Sequence, residues 1–497
     1  MKKRSFYFLL IFAALSILLQ SCDDHGSHNT EPLIDSNNNG YPSKEVAEVI
    51  VYNCAVSGCH AGILPSGGLS LSTYDNMLRG SNARGFIGDT SHHNHKAGRS
   101  FASETVYGGE AFIAYNPGIS LAMRLIMGDV ADSSLRMPYK GSPLSEQQIA
   151  LLRNWVENGL QNNKGEVPFS NPADPVIVCS QGSDMLYLLD PEKKVVHRTV
   201  STDFIATKDA PHHVQIYGDY FYVTLISSGR FLKYNKNTLN LVAQTEGLTY
   251  PGMILLSGDG KTAYVSKSSS AAGSYSEIYI INTETMSLTG ELTIPVAGIP
   301  HGTAIDRTTN KFFVANLTKD RISVFDLNTE ELDGNDILLD TGNEPMHIYL
   351  SHNRAKLYVC SRKSNKFLVV DLSSRSVVQE IVFPSHPMQA AVAGDGRIYV
   401  NLMHSGQIAV LHDNGTTVTQ TASVSDPGFT HLYGADLSED GKYLYVTGSN
   451  EANTYKPRYA KPGGLQESTV SVINTSTLKV EKVLELGAYA TGIAARR

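Results

Sequence analysis

The spacing of hydrophobic residues divides the chain into two regions of different secondary structure. Near the two ends of residues 42–160, apolar residues fall at helical spacing: Val46, Val49 and Ile50, and then Ile149, Leu152, Trp155 and Val156. Ser43 stands before one such stretch, KEVAEVIVYN, and Ser145 with Gln148 forms a capping-box start for another, EQQIALLRNWVENGL. The pattern predicts a small all-α domain over residues 42–160.

From residue 175 to residue 497 the pattern changes to short apolar strands that end at an Asp or Asn turn. Seven copies occur, from LYLLDPEKK at 186–194 to VSVINTST at 470–477. The turn residues of the first five copies are 44 to 47 residues apart: Asp190, Asn235, Asn282, Asp326 and Asp371. A second strand precedes most copies, three times after an Asp-Gly turn that is typical of hairpins. This period predicts four-stranded blades and an all-β, seven-bladed β-propeller.

The two ends of the repetitive region complement each other. The first blade lacks an inner strand at its start, whereas the chain ends with YATGIAARR, which matches the inner-strand pattern PHGTAIDR of residues 300–307. The C-terminal strand is therefore predicted to close the ring. These repeats resemble the YVTN-type, lactonase-like propellers, and the resemblance implies a fold rather than a particular activity.

The N-terminal segment has the pattern of an export signal. MKKR precedes an apolar run over residues 6–19 that is too short for a convincing membrane span. LQSC at residues 19–22 resembles a bacterial lipobox, which implies a signal peptide over residues 1–21 and a lipid anchor on Cys22. A soluble secreted protein with an ordinary cleavage site is the alternative.

These features predict an exported lipoprotein of a Gram-negative bacterium, in the periplasm, in the outer membrane or at the cell surface. A flexible tether is expected over residues 22–41, and an Asn- and Pro-rich linker over residues 161–174. Contact with the membrane is expected through the N-terminal lipid.

Composition narrows the function classes. The 497 residues carry a formal net charge of −7 and are 41% hydrophobic, which suits well-packed soluble domains and does not favour nucleic-acid binding. Of the five cysteines, Cys179 and Cys360 stand at equivalent strand positions, in VIVCS and LYVCS. Both are predicted to be small buried hydrophobes.

Cys54, Cys59 and His60 form the most specific chemical motif, NCAVSGCHAG at residues 53–62. A covalent c-type haem requires two thiols near its vinyl groups and an imidazole beneath the iron, and adjacent cysteine and histidine residues supply that geometry. The spacer between the cysteines has four residues instead of the usual two. A disulfide between Cys54 and Cys59, in an exported domain without haem, is the alternative.

The segments around this motif resemble, in their order, the planctomycete-type cytochrome c domains. They are GGLSLSTYDNMLRG (67–80), NPGISLAMRLIMG (116–128) and RMPYKGSPLSEQQIALLRNWVENGL (136–160). The resemblance implies one covalent haem c, with His60 as proximal ligand and Met137, of a Met-Pro pair, as distal ligand. Met123 and Met127 lie at helical spacing and are predicted to be core residues. An imidazole opposite a thioether implies electron transfer with a redox partner protein or a small donor or acceptor.

Histidines and methionines recur where the inner strands of the propeller begin, and these starts surround one mouth of the central channel. A site for copper or a second haem is one hypothesis for this mouth, and polar lining of the channel is the other. The candidate side chains are His212, His213, His301, His347, His386 and His431, with Met253, Met346 and Met388.

Two further segments carry candidate functions. The longest loop between a second and a third strand, residues 449–467, is expected beside the same mouth as a lid or a partner surface. The sequence SHHNH at residues 91–95 holds His92, His93 and His95, which form either a metal-binding cluster or a solvated loop.

Three hypotheses about function result. The leading hypothesis is a lipid-anchored c-type cytochrome that transfers electrons through one haem, with a propeller that docks a partner or ligand. The second is a redox enzyme with a metal or second haem at the propeller mouth. The third is a haemless surface binding lipoprotein.

Overall fold

The computed structural model describes residues 33–81, 111–170, 174–268, 273–464 and 466–496. The predicted signal peptide, Cys22 and the SHHNH segment lie outside these residues. Within the part described, no helix is both long and apolar enough to cross a membrane.

The N-terminal region contains four short α-helices, at the positions where the sequence places apolar faces and caps. Their bounds are α1 (Lys44–Asn53), α2 (Tyr74–Arg79), α3 (Leu121–Met127) and α4 (Glu146–Glu157). The Ser43 side chain caps α1 by accepting from the Val46 N–H, and Ser145 and Gln148 form the predicted reciprocal capping box of α4. Both predicted helices are therefore confirmed.

The core of this helical region is aromatic. Trp155 of α4 packs against Tyr41, Tyr74 and Phe112, with ring centroids 5.7 to 6.4 Å apart. Tyr41 is completely buried and its hydroxyl donates to the Leu71 carbonyl at 2.8 Å. The sequence analysis placed residues 33–41 in a flexible tether. The C-terminal end of this segment, at Tyr41, instead packs against the helices, so the folded region begins before residue 42.

The remainder of the chain forms seven antiparallel sheets, as predicted. The first three sheets use β1 (Val176–Ser180), β2 (Met185–Asp190), β3 (Val195–Ser201), β4 (Pro211–Tyr217), β5 (Tyr220–Leu225), β6 (Arg230–Asn235), β7 (Leu241–Thr245), β8 (Pro251–Leu256), β9 (Thr262–Lys267), β10 (Tyr275–Asn282) and β11 (Ser287–Gly298).

The next two sheets use β12 (Pro300–Asp306), β13 (Lys311–Asn316), β14 (Arg321–Asp326), β15 (Glu331–Leu332), β16 (Ile337–Leu338), β17 (Pro345–Leu350), β18 (Lys356–Ser361), β19 (Lys366–Asp371) and β20 (Ser376–Val382). The last strands are β21 (Pro387–Val392), β22 (Arg397–Leu402), β23 (Gln407–Asp413), β24 (Val418–Ser425), β25 (Leu432–Leu437), β26 (Tyr443–Gly448), β27 (Glu467–Asn474), β28 (Lys479–Ala488) and β29 (Ala490–Ala494).

The C-terminal strand closes the ring, as predicted. Strand β29 pairs antiparallel with β1, so blade 1 has the order β29-β1-β2-β3 and joins the last residues of the chain to the first blade. The other blades, numbered 2 to 7 along the chain, are each formed from consecutive strands. Hydrophobic clusters fill the spaces between adjacent blades, and Cys179 and Cys360 are completely buried in two of them, which confirms their predicted role.

The repeated Asp and Asn residues have a local structural role. Oδ1 of Asp190 accepts from the N–H groups of Glu192 and Lys193, and Oδ1 of Asn235 accepts from those of Asn237 and Thr238. A short side chain that bonds to the backbone two and three residues later stabilises a tight turn between two strands. The Asp and Asn residues that repeat once per blade in the sequence therefore mark turns between strands.

The helical region docks on the propeller at the seam between blades 7 and 1. Ile113 is buried in the hydrophobic cluster that those two blades share, and Ile119 packs against the same cluster. Asn116 Nδ2 donates to Thr199 Oγ1 at 3.1 Å, and Arg198 Nη2 donates to the Pro168 carbonyl at 3.0 Å. The two regions therefore share both apolar and polar contacts.

Candidate functional site

The two cysteines and the histidine of the motif lie together in one closed loop after α1. We call residues 54–61 the Cys-His loop. Its backbone is held by hydrogen bonds from the Cys59 N–H to the Val56 carbonyl at 3.1 Å and from the His60 N–H to the Cys54 carbonyl at 3.3 Å. The four-residue spacer thus folds back on itself and brings the ends of the motif together.

Both thiols are partly buried and, within the part described, neither forms a disulfide. Cys54 packs against the hydrophobic core of the helical region. Burial raises the pKa of the Cys54 thiol to about 12, and the proximity of Cys59 contributes to the rise. The predicted alternative of a disulfide is therefore not the arrangement in this structure.

The imidazole of His60 is oriented by the backbone. Its Nδ1 lies 3.2 Å from the carbonyl oxygen of Leu69. A carbonyl oxygen only accepts, so Nδ1 carries the proton and Nε2 keeps its lone pair. Burial lowers the pKa of His60, although hydrogen bonds to the backbone of Leu69 and Ser66 oppose this effect. The Leu69 contact thus favours the neutral tautomer with the proton on Nδ1, which is the form that binds a metal through Nε2.

The three methionines that the sequence analysis considered have different surroundings. Met123 is completely buried in the core, as predicted. Met127 packs against that core, and its sulfur lies 3.1 Å from Arg153 Nη2. Met137 borders the same hydrophobic cluster as Cys54, and its N–H donates to the Leu125 carbonyl of α3 at 3.1 Å.

At the propeller mouth, the predicted histidines separate into two groups. The inner histidine group consists of His212, His213, His301 and His347, from blades 2, 4 and 5. The His301 ring lies 6.2 Å from that of His212 and 5.0 Å from that of His347, between centroids. Burial lowers the pKa of His212 and His213 to about 3 and that of His301 to about 4, so these imidazoles are neutral near pH 7.

Backbone contacts set opposite tautomers within the inner histidine group. His301 Nδ1 donates to the Met346 carbonyl at 2.8 Å, which leaves the lone pair on Nε2. His213 Nδ1 accepts from the Ile254 N–H at 3.3 Å, so its Nε2 carries the proton. His347 is 4% exposed and its Nε2 has no hydrogen-bond partner in the part described. The group thus contains both a ring N–H donor and ring nitrogens with a lone pair.

The outer histidine group contains a residue that the sequence analysis missed. His386 and His431 lie on either side of His404, with ring centroids 4.5 and 4.8 Å from it, and His431 Nε2 is 3.1 Å from His404 Nδ1. His404 stands in the turn after the second strand of blade 6. Turns after a second strand lie at the same mouth as the starts of the inner strands. The position of His404 in NLMHSGQ, directly after a second strand, could therefore have predicted its place in this group.

A surface pocket of about 220 Å³ opens beside the outer histidine group, and its lining includes His386, His404, Ser385 and Asn365. The methionines at the inner-strand starts behave differently. Met346 and Met388 pack with Met403 in one apolar cluster, while Met253 is buried outside it. Among the described residues, no three His, Cys, Asp or Glu side chains are arranged to hold a metal ion.

The long loop of blade 7, residues 449–467, reaches two sites. We call it the blade-7 loop. Glu451 Oε2 lies 3.4 Å from His431 Nδ1 at the mouth. Farther along, the Tyr459 and Ala460 carbonyls accept hydrogen bonds from Arg124 and from the Ala131 N–H of the helical region. The loop thus borders the mouth, as expected, and also contacts the helical region.

Comparisons with known proteins identify the fold of the propeller. No family model matches the chain. Two curated relatives, an uncharacterized protein YncE from Salmonella typhi and its counterpart from Salmonella typhimurium, are 26% identical over 181 residues, which is 36% of this chain and 49% of each relative. The chain therefore spans about half the length of the curated relatives it matches.

Three solved structures with similar folds are distant from this chain in sequence. A functionally unknown protein from Desulfotomaculum acetoxidans has a TM-score of 0.54 at 13% identity and covers 65% of this chain and 98% of its own. The periplasmic gluconolactonase PpgL of Pseudomonas aeruginosa has a TM-score of 0.50 at 14% identity, with coverages of 65% and 98%. A protein from Lactobacillus plantarum gives 0.51 at 12% identity, covering 64% and 98%. The chain therefore contains a seven-bladed β-propeller with lactonase-like structural neighbours.

Proposed function

We propose that this chain is an exported, lipid-anchored c-type cytochrome that transfers electrons through one covalently bound haem. Cys54 and Cys59 would hold the haem as thioethers, His60 would be the proximal ligand and Met137 the distal ligand. The propeller would dock a redox partner protein or a small electron donor or acceptor. Cys22, outside the described residues, would carry the lipid anchor.

The observation that carries this proposal is the hydrogen bond from His60 Nδ1 to the Leu69 carbonyl. Metal-bound histidines usually donate their second ring N–H to a carbonyl or carboxylate, which fixes the tautomer and the ring orientation. The same contact in this chain would leave the lone pair of Nε2 for iron, on the residue that follows Cys59 in sequence.

The surroundings of the loop also fit a haem. Cys54 borders the apolar core of the helical region, and Met137 borders the same core. His60 and Met137 would hold the iron of a bound haem, which would supply one-electron chemistry at a raised reduction potential, as electron transfer requires. The residues of this chain would attach the porphyrin, orient it and supply both axial ligands.

Haem attachment is tested by expressing the full chain with a cytochrome c maturation system. A pyridine haemochrome that stays with the denatured polypeptide supports the proposal, and a double Cys54→Ser, Cys59→Ser variant should lose it. Cys179→Ser is the matched control, because that thiol is buried in the propeller. A matured wild-type chain that carries no haem would refute the proposal and favour a haemless binding protein.

Membrane anchoring is tested separately. We expect Cys22→Ala to move the exported chain from the membrane fraction to the soluble fraction without changing the haem content. Equal membrane association of both forms would contradict the lipid anchor.

A second candidate function, a redox enzyme with a ligand at the propeller mouth, is favoured by one observation. His347 Nε2 is buried without a hydrogen-bond partner in the part described, next to the neutral His301 ring. A buried polar atom of this kind calls for a water, ion or ligand that satisfies it. Copper or a second haem is the occupant to test.

Metal analysis of the matured chain distinguishes the two candidates. One iron per chain and no other metal supports the electron carrier alone. Copper or a second haem in stoichiometric amount, lost on His347→Gln but retained on His197→Gln, supports the enzyme. His197 is the control because it is also a buried histidine, but it lies in blade 1.

A further inference from the structure

Arg124 is a buried charge at the interface between the helical region and the propeller. It lies in α3 and is 7% exposed. Its Nη2 donates to the Tyr459 carbonyl of the blade-7 loop at 2.6 Å. The guanidinium also lies 3.8 Å from Asp129 Oδ2 and 3.9 Å from Glu467 Oε1. Because burying an unpaired charge is costly, the contacts with Tyr459 and Glu467 hold α3 against the loop, while Asp129 faces the guanidinium from just beyond the end of α3 itself.

The residues that follow α3 lead directly to the predicted distal ligand. We call residues 128–137 the Met137 segment. On one side it is tied to α3, because the Met137 N–H donates to the Leu125 carbonyl at 3.1 Å and the Asp129 N–H to the Arg124 carbonyl at 2.8 Å. On the other side, the Ala131 N–H donates to the Ala460 carbonyl of the blade-7 loop at 2.8 Å. The segment therefore lies between a helix and the propeller.

Hydrogen bonds within the blade-7 loop fix its conformation. Asn450 is completely buried; its Nδ2 donates to the Glu467 carbonyl at 2.8 Å and to the Tyr455 carbonyl at 3.1 Å, which joins the two ends of the loop. The Lys461 N–H donates to Glu467 Oε1 at 3.1 Å, next to the contacts with Arg124. A loop with such side-chain bonds offers fixed carbonyl acceptors rather than a flexible surface.

We propose that Arg124 is a positioning residue that, together with the blade-7 loop, fixes the Met137 segment, so that the propeller forms part of the distal side of the haem site. This inference rests on the proposed function. It assigns a role to the propeller other than partner docking. It also explains why the loop turns away from the mouth to contact the helical region.

The chemistry of arginine suits this role. Its planar guanidinium presents several N–H donors in a fixed fork and bonds to the Tyr459 carbonyl while it faces two carboxylates. Lysine would keep the positive charge but lose the planar set of N–H donors. Glutamine would lose the charge and the guanidinium donors, and Asp129 and Glu467 would then lack this cation.

The test compares the matured full-length wild type with Arg124→Gln and Arg124→Lys. The readouts are covalent haem content, the near-infrared sulfur-to-iron band of the ferric protein and the reduction potential. Outer-shell partners typically contribute about 10- to 100-fold to metal affinity, so we expect about a tenfold loss of methionine ligation in Arg124→Gln. The haem content should be unchanged, the potential should fall, and Arg124→Lys should restore part of the band.

Arg198→Gln is the matched control. Arg198 is also buried and also donates to a carbonyl across the interface, that of Pro168, but it lies in strand β3 of blade 1 rather than in α3. This variant should keep the sulfur-to-iron band. If Arg198→Gln loses the band as fully as Arg124→Gln, the effect reflects general loosening of the interface and the positioning role is refuted.

The exposed Ala131 provides a second variant if Arg124→Gln does not fold. Ala131→Pro removes the N–H that donates to Ala460 and leaves Arg124 in place, and it should weaken the band. The inference is overturned if the wild type carries haem and shows the band, and Arg124→Gln and Ala131→Pro show the same band. A wild type without haem overturns the proposed function instead.

Discussion

A single backbone hydrogen bond determines which ring nitrogen of His60, His213 and His301 keeps the lone pair that can bind a ligand. The carbonyls of Leu69 and Met346 accept from Nδ1 of His60 and His301 and leave the Nε2 lone pair for a ligand. The Ile254 N–H imposes the opposite tautomer on His213. All three residues are histidines, so the backbone hydrogen-bond partner determines which ring nitrogen donates and which can bind a ligand.

Met137→Ala is the residue-scale test of the distal ligand. We expect this variant to retain covalent haem, because Cys54 and Cys59 are unchanged, and to lose the near-infrared sulfur-to-iron band. Met123→Leu is the control, since Met123 is completely buried and a similar volume refills the core. Survival of the band in Met137→Ala would assign the ligand to another methionine.

Glu485 is a partly buried acid, and its titration should change the free energy of unfolding with pH. Burial raises its pKa from 4.5 to about 7, and the charge of Glu467 adds to the rise, while a 2.6 Å hydrogen bond from Tyr455 opposes it. The folded state thus holds the proton more tightly than the unfolded state. The resulting stabilisation is complete below pH 4.5 and is lost as the pH rises through about 7.

We therefore expect Glu485→Gln to gain free energy of unfolding relative to the wild type as the pH is raised from 4.5 to 7. Denaturant unfolding at several pH values measures this difference. Glu157→Gln is the control, because Glu157 is exposed at the end of α4. Parallel stability profiles for the wild type and Glu485→Gln would contradict the raised pKa.

At the scale of elements, the sequence predicts those features that local chemistry controls. Ser43 and Ser145 begin helices because their hydroxyls accept from backbone N–H groups three residues later. Asp190 and its counterparts mark turns for a similar local reason. The fold and the closing strand were predictable because each blade repeats these signals at nearly constant spacing.

The grouping of the mouth histidines could not be predicted, because it depends on irregular strand starts. The pairing of inner strands with second strands shifts register between Pro211 and His213, and again between Pro345 and His347. A bulge changes which face a side chain occupies, so alternation along the strand no longer applies. The contact between the blade-7 loop and α3 is equally invisible in sequence, because it joins residues more than 300 positions apart.

Gly302 in β12 illustrates how closely the inner strands approach one another. A Cβ atom there would lie 2.7 Å from the His347 Cα and 2.7 Å from the Met346 carbonyl oxygen. We expect Gly302→Ala to lower the free energy of unfolding by about 1–3 kcal/mol, as overpacking typically does. Thermal or denaturant unfolding measures the change.

Gly290→Ala is the matched control for that substitution. Gly290 lies in the outer strand β11, where a Cβ would be 3.7 Å from Ile280 Cδ1, an ordinary contact. Its stability should remain close to that of the wild type. A Gly302→Ala variant as stable as Gly290→Ala would show that the inner strands can separate without cost.

At the scale of the whole molecule, ring closure and domain docking occur at one place. Strand β29 joins blade 1, and the hydrophobic cluster between blades 7 and 1 also receives Ile113 of the helical region. The helical region therefore covers the seam where the two ends of the propeller meet. Opening the ring should disturb the docked helices as well as the blades.

Removal of residues 489–497 tests this coupling. The deletion eliminates β29, in which Ile493 is 8% exposed and Ala490 and Thr491 are completely buried. Burying one isoleucine contributes about 1.5–3 kcal/mol, and each lost backbone hydrogen bond costs about 0.5–1.5 kcal/mol. The sum is comparable to the 5–15 kcal/mol or so of total stability that proteins possess.

We expect the truncated chain to lose cooperative unfolding. A peptide of sequence YATGIAARR, added to the truncated chain, should restore part of the cooperativity, whereas a peptide of scrambled sequence should not. A truncated chain that unfolds at the wild-type midpoint would mean that blade 1 is stable with three strands.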